Sequence, residues 1–396
     1  MTLGLLAITS AALGGNTAET TESYVASPRG QDLSNIDPNL PRKPWELYPG
    51  ITLTPIGYAQ TDWMTFGNPI LKDSGNWRAG RTLFVLSFVK KFDFIFAYNW
   101  ATDDWNQIQI SVNKYDLTID FGQIYPVFAL SNSIASPYFS FLEIPLVAYT
   151  MKPGYRVGTQ WTYHKAPINF SLGVYRPRVD HPRPGDNTSA VANFIYVPYN
   201  ETGHVMLVNS AAMFQAVSAN PALNPVSFSA PPLTLPYDQT TLISASVPNS
   251  RHYWISASEL ATTQGSFTGI IDYTHTWVKR VAGFPYANFY GYFVLLNYFI
   301  TGETRLFNLN SGSYLAISKI RHKYGAIEIS LIYDYMNLMS GGIAGGRETD
   351  YGISFNWYPA PHANFRLQYI HAVAHPGDLG THQTANIAAL RMEFMW

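Results

Sequence analysis

The sequence predicts an all-β protein, a transmembrane antiparallel β-barrel of about sixteen strands. Three observations carry this expectation. The 396 residues are 15% aromatic and only 13% charged, about half the charged share usual in soluble domains, yet mean hydropathy stays near zero, so the apolar side chains are spread along the chain. From Gly50 onward, apolar and polar residues repeatedly alternate with a period of two, the mark of a strand with two unlike faces. The chain also ends on such a strand, with Ala388, Leu390, Met392, Phe394 and Trp396 on one side and Arg391 and Glu393 on the other.

Residues 1–16 contain the apolar run Leu3–Leu13, of export-signal length although no positive charge precedes it, and read as a truncated signal peptide. Residues 17–49 hold several prolines and no periodicity, which predicts an extended periplasmic segment, and the barrel is expected over residues 50–396. No stretch reaches the ~18 apolar residues of a membrane helix, since Tyr290–Ile300 is short and contains Asn297. The absence of cysteine excludes disulfides and thiolate metal sites. With 25 basic against 26 acidic residues, the formal charge of -1 gives no global electrostatic case for binding nucleic acid.

Within the barrel region, Phe92, Phe94, Phe96, Tyr98 and Trp100 alternate with Asp93, Ile95, Ala97 and Asn99. The same holds for Ile168 to Val174, Tyr351 to Trp357 and Phe365 to Tyr369. A soluble sandwich would set an aliphatic inner face against an outer face rich in Lys and Glu. Here the polar face is mostly Asn, Gln, Ser, Thr and Gly, which suits a narrow wet bore, and the aromatic face suits lipid. Hydrocarbon offers the backbone no water, so strands cross it only when the sheet closes and every ladder bond is made. Three connections read as long, Phe128–Lys152, Arg176–Val191 and Ser218–Ser250, placed on the outer side or folded into the bore. Pro198–Gly203 and Pro359–His362 read as tight periplasmic turns.

Several ordered motifs make the chain resemble the phosphate-selective porin O and P family over nearly the whole span from Gly50. They are Arg78-Ala79-Gly80-Arg81 running through Lys90-Lys91-Phe92 to Tyr98-Asn99, and Phe121-Gly122-Gln123 with Phe128, Leu130, a serine-rich stretch and Phe141-Leu142-Glu143. Later come Tyr298 to Leu306, and Gly346 to Tyr351 followed by Asn356-Trp357-Tyr358. The resemblance implies a sixteen-stranded homotrimer among outer-membrane lipids, a third loop folded into the lumen as the constriction, and small anions or phosphate as permeants. In phosphate-selective members arginines line the pore, lysines mark its narrowest zone, and serines with an acidic residue complete the phosphate site. This chain departs from that pattern: Asn132 stands where the family has a lysine, Ala79 replaces an arginine, and Val127–Met151 carries a single charged residue, Glu143.

The residues expected along the constriction and anion path are Arg78, Arg81, Ser131, Asn132, Ser133, Ser136, Glu143, Lys152 and Arg156. Arg78 and Arg81 lie three positions apart, so both reach the bore only across a bulge. Glu143 faces the constriction or, the favoured reading, ties its loop to the wall. Lys152 and Arg156 would supply positive field at the loop exit, while Arg366 and Arg391 have lumen parity with Glu348, Asp350 and Glu393 as possible balancing charges. His371 and His375 have the spacing of helical metal ligands, but on a strand they stand roughly 13 Å apart, so no metal or other cofactor is expected. Neutral serine donors compensate phosphate dehydration weakly. The reading is therefore a passive porin for small hydrophilic solutes with weak anion preference, not an enzyme. The alternatives are a true phosphate or polyphosphate channel, a barrel enzyme and a soluble carbohydrate binder.

Overall fold

The computed structural model describes residues 44–89, 91–179, 186–218, 225–235, 240–375, 380 and 382–396. The expected signal peptide, most of the expected extended segment, and Lys90 lie outside them. The alternating stretches form sixteen long strands. They are β1 Ile51–Phe66, β2 Ser74–Phe88, β3 Phe92–Asn99, β4 Asp104–Lys114, β5 Leu117–Ile124, β6 Arg156–Lys165, β7 Ile168–Pro177 and β8 Asp186–Glu201. There follow β9 His204–Val217, β10 Ser250–Gln264, β11 Phe267–Arg280, β12 Ala287–Phe299, β13 Ala326–Ser340, β14 Ile343–Ala360, β15 Ala363–His375 and β16 Gln383–Met395. Each pairs antiparallel with the next, and β1 pairs with β16 from Tyr58↔Met395 to Phe66↔Ile387. That last pairing closes the sheet, so the barrel has no open edge to satisfy in lipid. A short strand, Trp45–Tyr48, folds back onto the start of β1.

The two-residue period sorts side chains as expected on the outside. Phe92 and Phe96 are exposed while Asp93 and Ile95 are buried, and Tyr351, Ile353, Phe355 and Trp357 all point outward. Register gathers these side chains into bands. Tyr273, Tyr292 and Tyr335 lie side by side from the middle of the wall toward one end, and Phe267 beside Tyr298 and Trp357 beside Phe365 lie near the other. Between them run Ile271, Val294, Leu331 and Ile353. Aromatic girdles around an aliphatic belt are what two interfaces and a hydrocarbon core select.

The connections differ from expectation in two places. At the end carrying Thr202-Gly203, Gly265-Ser266 and Pro361-His362, tight turns prevail, with Gly203 and Gly265 at φ 76 and 57 where a side chain would be strained. At that same end the connection 300–325 is long and holds a buried hairpin, Arg305–Asn308 with Ser313–Ile317, which no sequence pattern predicts. Conversely, the connection expected over Arg176–Val191 is shorter at both ends, because β7 runs to Pro177 and β8 begins at Asp186.

The inner face also departs from the expectation of a lining made mostly of Asn, Gln, Ser, Thr and Gly. On β4 to β6 it presents Gln107, Gln109, Ser111, Asp120, Gln160 and Thr162. On β10 to β13 it presents Tyr253, Ile255, Phe289, Phe293, Met336 and Leu338 together with the buried Glu259, Asp272, Thr274 and Asp334. These apolar residues pack against a second hairpin, Val226–Ala230 with Ile243–Val247, whose Phe228 ring meets Phe289 at 5.3 Å and Tyr253 at 5.8 Å, edge to face. Alternation reports which side a residue takes, not whether water or another segment covers that side.

Candidate functional site

The connection 125–155 is mostly irregular, with the helical turns α1 Leu130–Ser133 and α2 Leu146–Met151, and buried backbone of this kind needs partners. The strands supply them. Glu259 accepts the N–H groups of Leu130 and Ser131, the latter at 3.1 Å, Gln368 accepts that of Leu142 at 2.8 Å, and Asp334 accepts that of Leu146 at 2.6 Å. In the other direction, Asn356 donates to the Ser140 carbonyl at 3.0 Å, Arg366 to those of Phe141 and Pro137 at 3.2 and 3.3 Å, and Arg391 to that of Leu142 at 2.6 Å.

Glu143 is the charged hub of this arrangement. Arg78 grips its carboxylate with Nε at 2.5 Å and Nη2 at 2.9 Å, and Arg391 Nη2 reaches it at 3.2 Å. Arg391 also binds Asp62 through two bonds of 2.7 Å. Burial pushes the Glu143 carboxyl up, but Arg78 foremost, then Arg391 and Lys152, outweigh it and hold it down to about 2. Arg78 reaches this position through a bulge: Gln60 faces Ala79 and Thr61 faces Trp77, so Arg78 has no register partner. The bulge lets Arg81 lie on the inner face as well, buried and donating to Gln107 Oε1 at 3.1 Å.

Beside this hub lies a cavity of about 350 Å³ lined by four cations, Arg78, Lys152, Arg156 and Arg178, against two carboxylates, Asp104 and Glu143. Asn132 and Ser136 also line it, and Ser136 Oγ accepts from Gln60 at 3.0 Å and from Arg391 at 3.3 Å. Lys152 Nζ sits 3.4 Å from the centre of the Tyr149 ring, and Arg156 Nε donates to the Pro153 carbonyl at 3.0 Å. Ser131 and Ser133 lie apart from the cavity, fully buried, with Ser133 Oγ donating to the Ala129 carbonyl at 2.9 Å.

The charge partners of the wall arginines differ from those expected. Arg391 takes Asp62 and Glu143, Arg366 takes Asn356 Oδ1 at 2.9 Å together with the two loop carbonyls, and Glu393 accepts from Gln60. Parity fixes the face but not the partner across it. Arg178 was missed altogether; it donates to Asp104 Oδ2 and to the Trp105 carbonyl, each at 3.0 Å. Its position follows Pro177, where the alternation of β7 stops, so no periodic signal marks it. His371 and His375 have separate partners, Asn386 and His382.

A sequence profile described as phosphate-selective porin O and P matches residues 92–396. The chain belongs to that family. A protein of Caulobacter vibrioides described as uncharacterized is 32% identical over 83 residues, 20% of this chain and 17% of that one, so the chain spans about a sixth of that curated relative. Among solved structures, the barrel is similar to the trimer form of OmpT, an outer membrane protein of Vibrio cholerae (TM-score 0.56, 10% identity, 88% of this chain and 100% of that one). An anion-selective porin from Comamonas acidovorans gives a TM-score of 0.55 at 7% identity, covering 87% of this chain and 100% of that one. OmpF of Salmonella typhi, in complex with daunomycin, gives 0.54 at 13%, covering 89% and 100%. Identities this low speak to the fold. As a porin O and P family member this barrel resides in the outer membrane. Its cavity holds the strongest concentration of positive charge described above.

Proposed function

We propose that the chain is a passive channel for small hydrophilic solutes in which the connection 125–155 occupies the bore and narrows it, leaving a weakly anion-preferring path beside Glu143. The observation that carries this reading is the cavity with four cations against two carboxylates, bounded on one side by strand residues and on the other by the connection. Preference stays weak because Arg78 and Arg178 are each held by a carboxylate, which spends part of their field locally. Glu143 acts as the tether: bonded from β2 and β16 at once, it fixes the loop across the wall. The reading gives the protein no catalytic role, and among the described residues no histidine lines the cavity to serve as a base beside its hydroxyls. It includes assembly as a homotrimer, the form described for the similar OmpT structure, and removal of residues 1–16 on export.

Planar-bilayer recording on the purified protein tests it. A KCl gradient is expected to give ohmic conductance with a reversal potential displaced modestly toward chloride. No conductance at all removes the channel, and a clear displacement toward potassium removes the anion preference.

A further inference from the structure

Resting on the channel reading, we propose that the cavity favours monocarboxylates carrying an aromatic or apolar body over both inorganic phosphate and small carboxylates. The charge pattern supports the headgroup. Phosphate as a dianion gives up its water only to several charge-assisted donors at once. Here the Arg78 guanidinium presents two of its bonds to Glu143, and Arg178 is bonded to Asp104, so two carboxylates sit where a dianion would need bare cations and repel it. A surplus of two positive charges, four cations against two carboxylates, suits a monoanion that needs one or two donors. Lys152, half-buried at the end of α2, is the donor nearest an apolar surface.

The walls support the body. Tyr125 and Tyr155 meet edge to face at 5.2 Å, the Tyr149 ring lies directly under Lys152 Nζ, and Phe139, Ile134 and Ile144 continue the apolar lining. Ammonium and ring stacked together place an apolar shelf within reach of any carboxylate held at Lys152. A volume of about 350 Å³ accommodates a single-ring acid with its waters. Phosphate and acetate have nothing to lay on that shelf.

The test uses the full-length protein in planar bilayers carrying chloride current, with benzoate, cyclohexanecarboxylate, acetate or phosphate added to one side. The two ring acids are expected to reduce the current at concentrations about tenfold lower than acetate or phosphate. Tyr149→Ala is expected to weaken the benzoate effect about fivefold with a smaller change for acetate, and Tyr149→Phe to restore it. Heat-modifiable gel mobility confirms that each variant is folded. Phosphate acting at or below the benzoate concentration overturns the proposal, as does benzoate behaving like acetate, or Tyr149→Ala shifting both acids equally, while KCl conductance is normal. Absence of conductance in KCl alone overturns the channel reading and this proposal with it.

Discussion

Strands β4 to β6 and strands β10 to β13 share one alternation and nearly one outer face, yet the inner face of the second group adds a large apolar patch to buried polar residues such as Glu259, Asp272 and Asp334. On the first group, amides and hydroxyls satisfy one another: Gln107 donates to Gln109 at 2.7 Å, Gln109 to Ser111 at 2.7 Å and to Asp120 at 2.8 Å, and Ser111 to Asp120 at 2.7 Å. On the second, Phe289, Phe293, Met336 and Leu338 form a core with Phe228, Ala245 and Val247 of the inserted hairpin and with Leu146 and Val147 of α2. The outside of a barrel answers to one solvent and is uniform. The inside answers to whatever covers it, so one half of this wall is a lining and the other is a foundation.

The sharpest way to break that comparison is at Arg391, where lining, loop and wall meet. Arg391→Met leaves Asp62 buried without its two bonds and removes one hold on Glu143, an expected loss of about 3–5 kcal/mol. Urea titration of the folded barrel in detergent reads it. Adding Asp62→Asn should recover much of the loss, and failure of the double variant to do so would show that the carboxylate is not the source of the cost.

Next in size is the contrast between the halves. Leu338→Ala, in the packed half and fully buried, is expected to cost about 2–5 kcal/mol because a cavity is left behind. Gln109→Ala, in the polar half, is expected to cost about 0.5–1.5 kcal/mol, since water can replace its bonds. Equal losses by the same titration would erase the distinction between lining and foundation.

These differences mark where sequence reading works and where it stops. The outward parity of Phe92, Tyr351 and Trp396 was legible because periodicity is a local backbone property, and lipid enforces it at every strand. The strand count followed from the same rule. Phe289 and Phe293 alternate as cleanly as Gln107 and Gln109, but what covers them is a hairpin more than forty residues away in sequence, which no local period encodes. Arg78, expected in the bore together with Arg81 only across a bulge, reaches it through one, whereas Arg178 follows a proline at which the period stops and was not marked. Arg305, bonded to Glu328 and to Ser140, belongs to the connection 300–325, which is not among those that read as long.

A smaller effect concerns selectivity alone. Lys152 lines the cavity, so Lys152→Glu should move the chloride-to-potassium permeability ratio toward potassium by about fivefold or more, given ~1 kcal/mol for unit charges 4 Å apart in water. Glu348 is fully buried on β14, away from that cavity, and Glu348→Gln should leave the ratio unchanged. A shift from Glu348→Gln as large as that from Lys152→Glu would mean that the permeant ion passes along β14 instead.

The smallest effect is invisible at neutral pH. Glu143 lies on the connection, outside the strands, and its carboxyl is held down to about 2 from an ordinary 4.5. A folded value below the unfolded one stabilises the folded state fully above the unfolded value, and that stabilisation is lost as pH falls through the folded value. Between pH 5 and 8 this group should therefore contribute no change. As pH drops from about 4 toward 2, Arg78 and Arg391 lose their common anion and the loop loses its tether, which bilayer recording reads as rising open-channel noise. Glu143→Gln should show that noise already at neutral pH and little further change with acid. An acid response in Glu143→Gln as steep as in the parent protein would assign it to another carboxylate and leave Glu143 without the anchoring role.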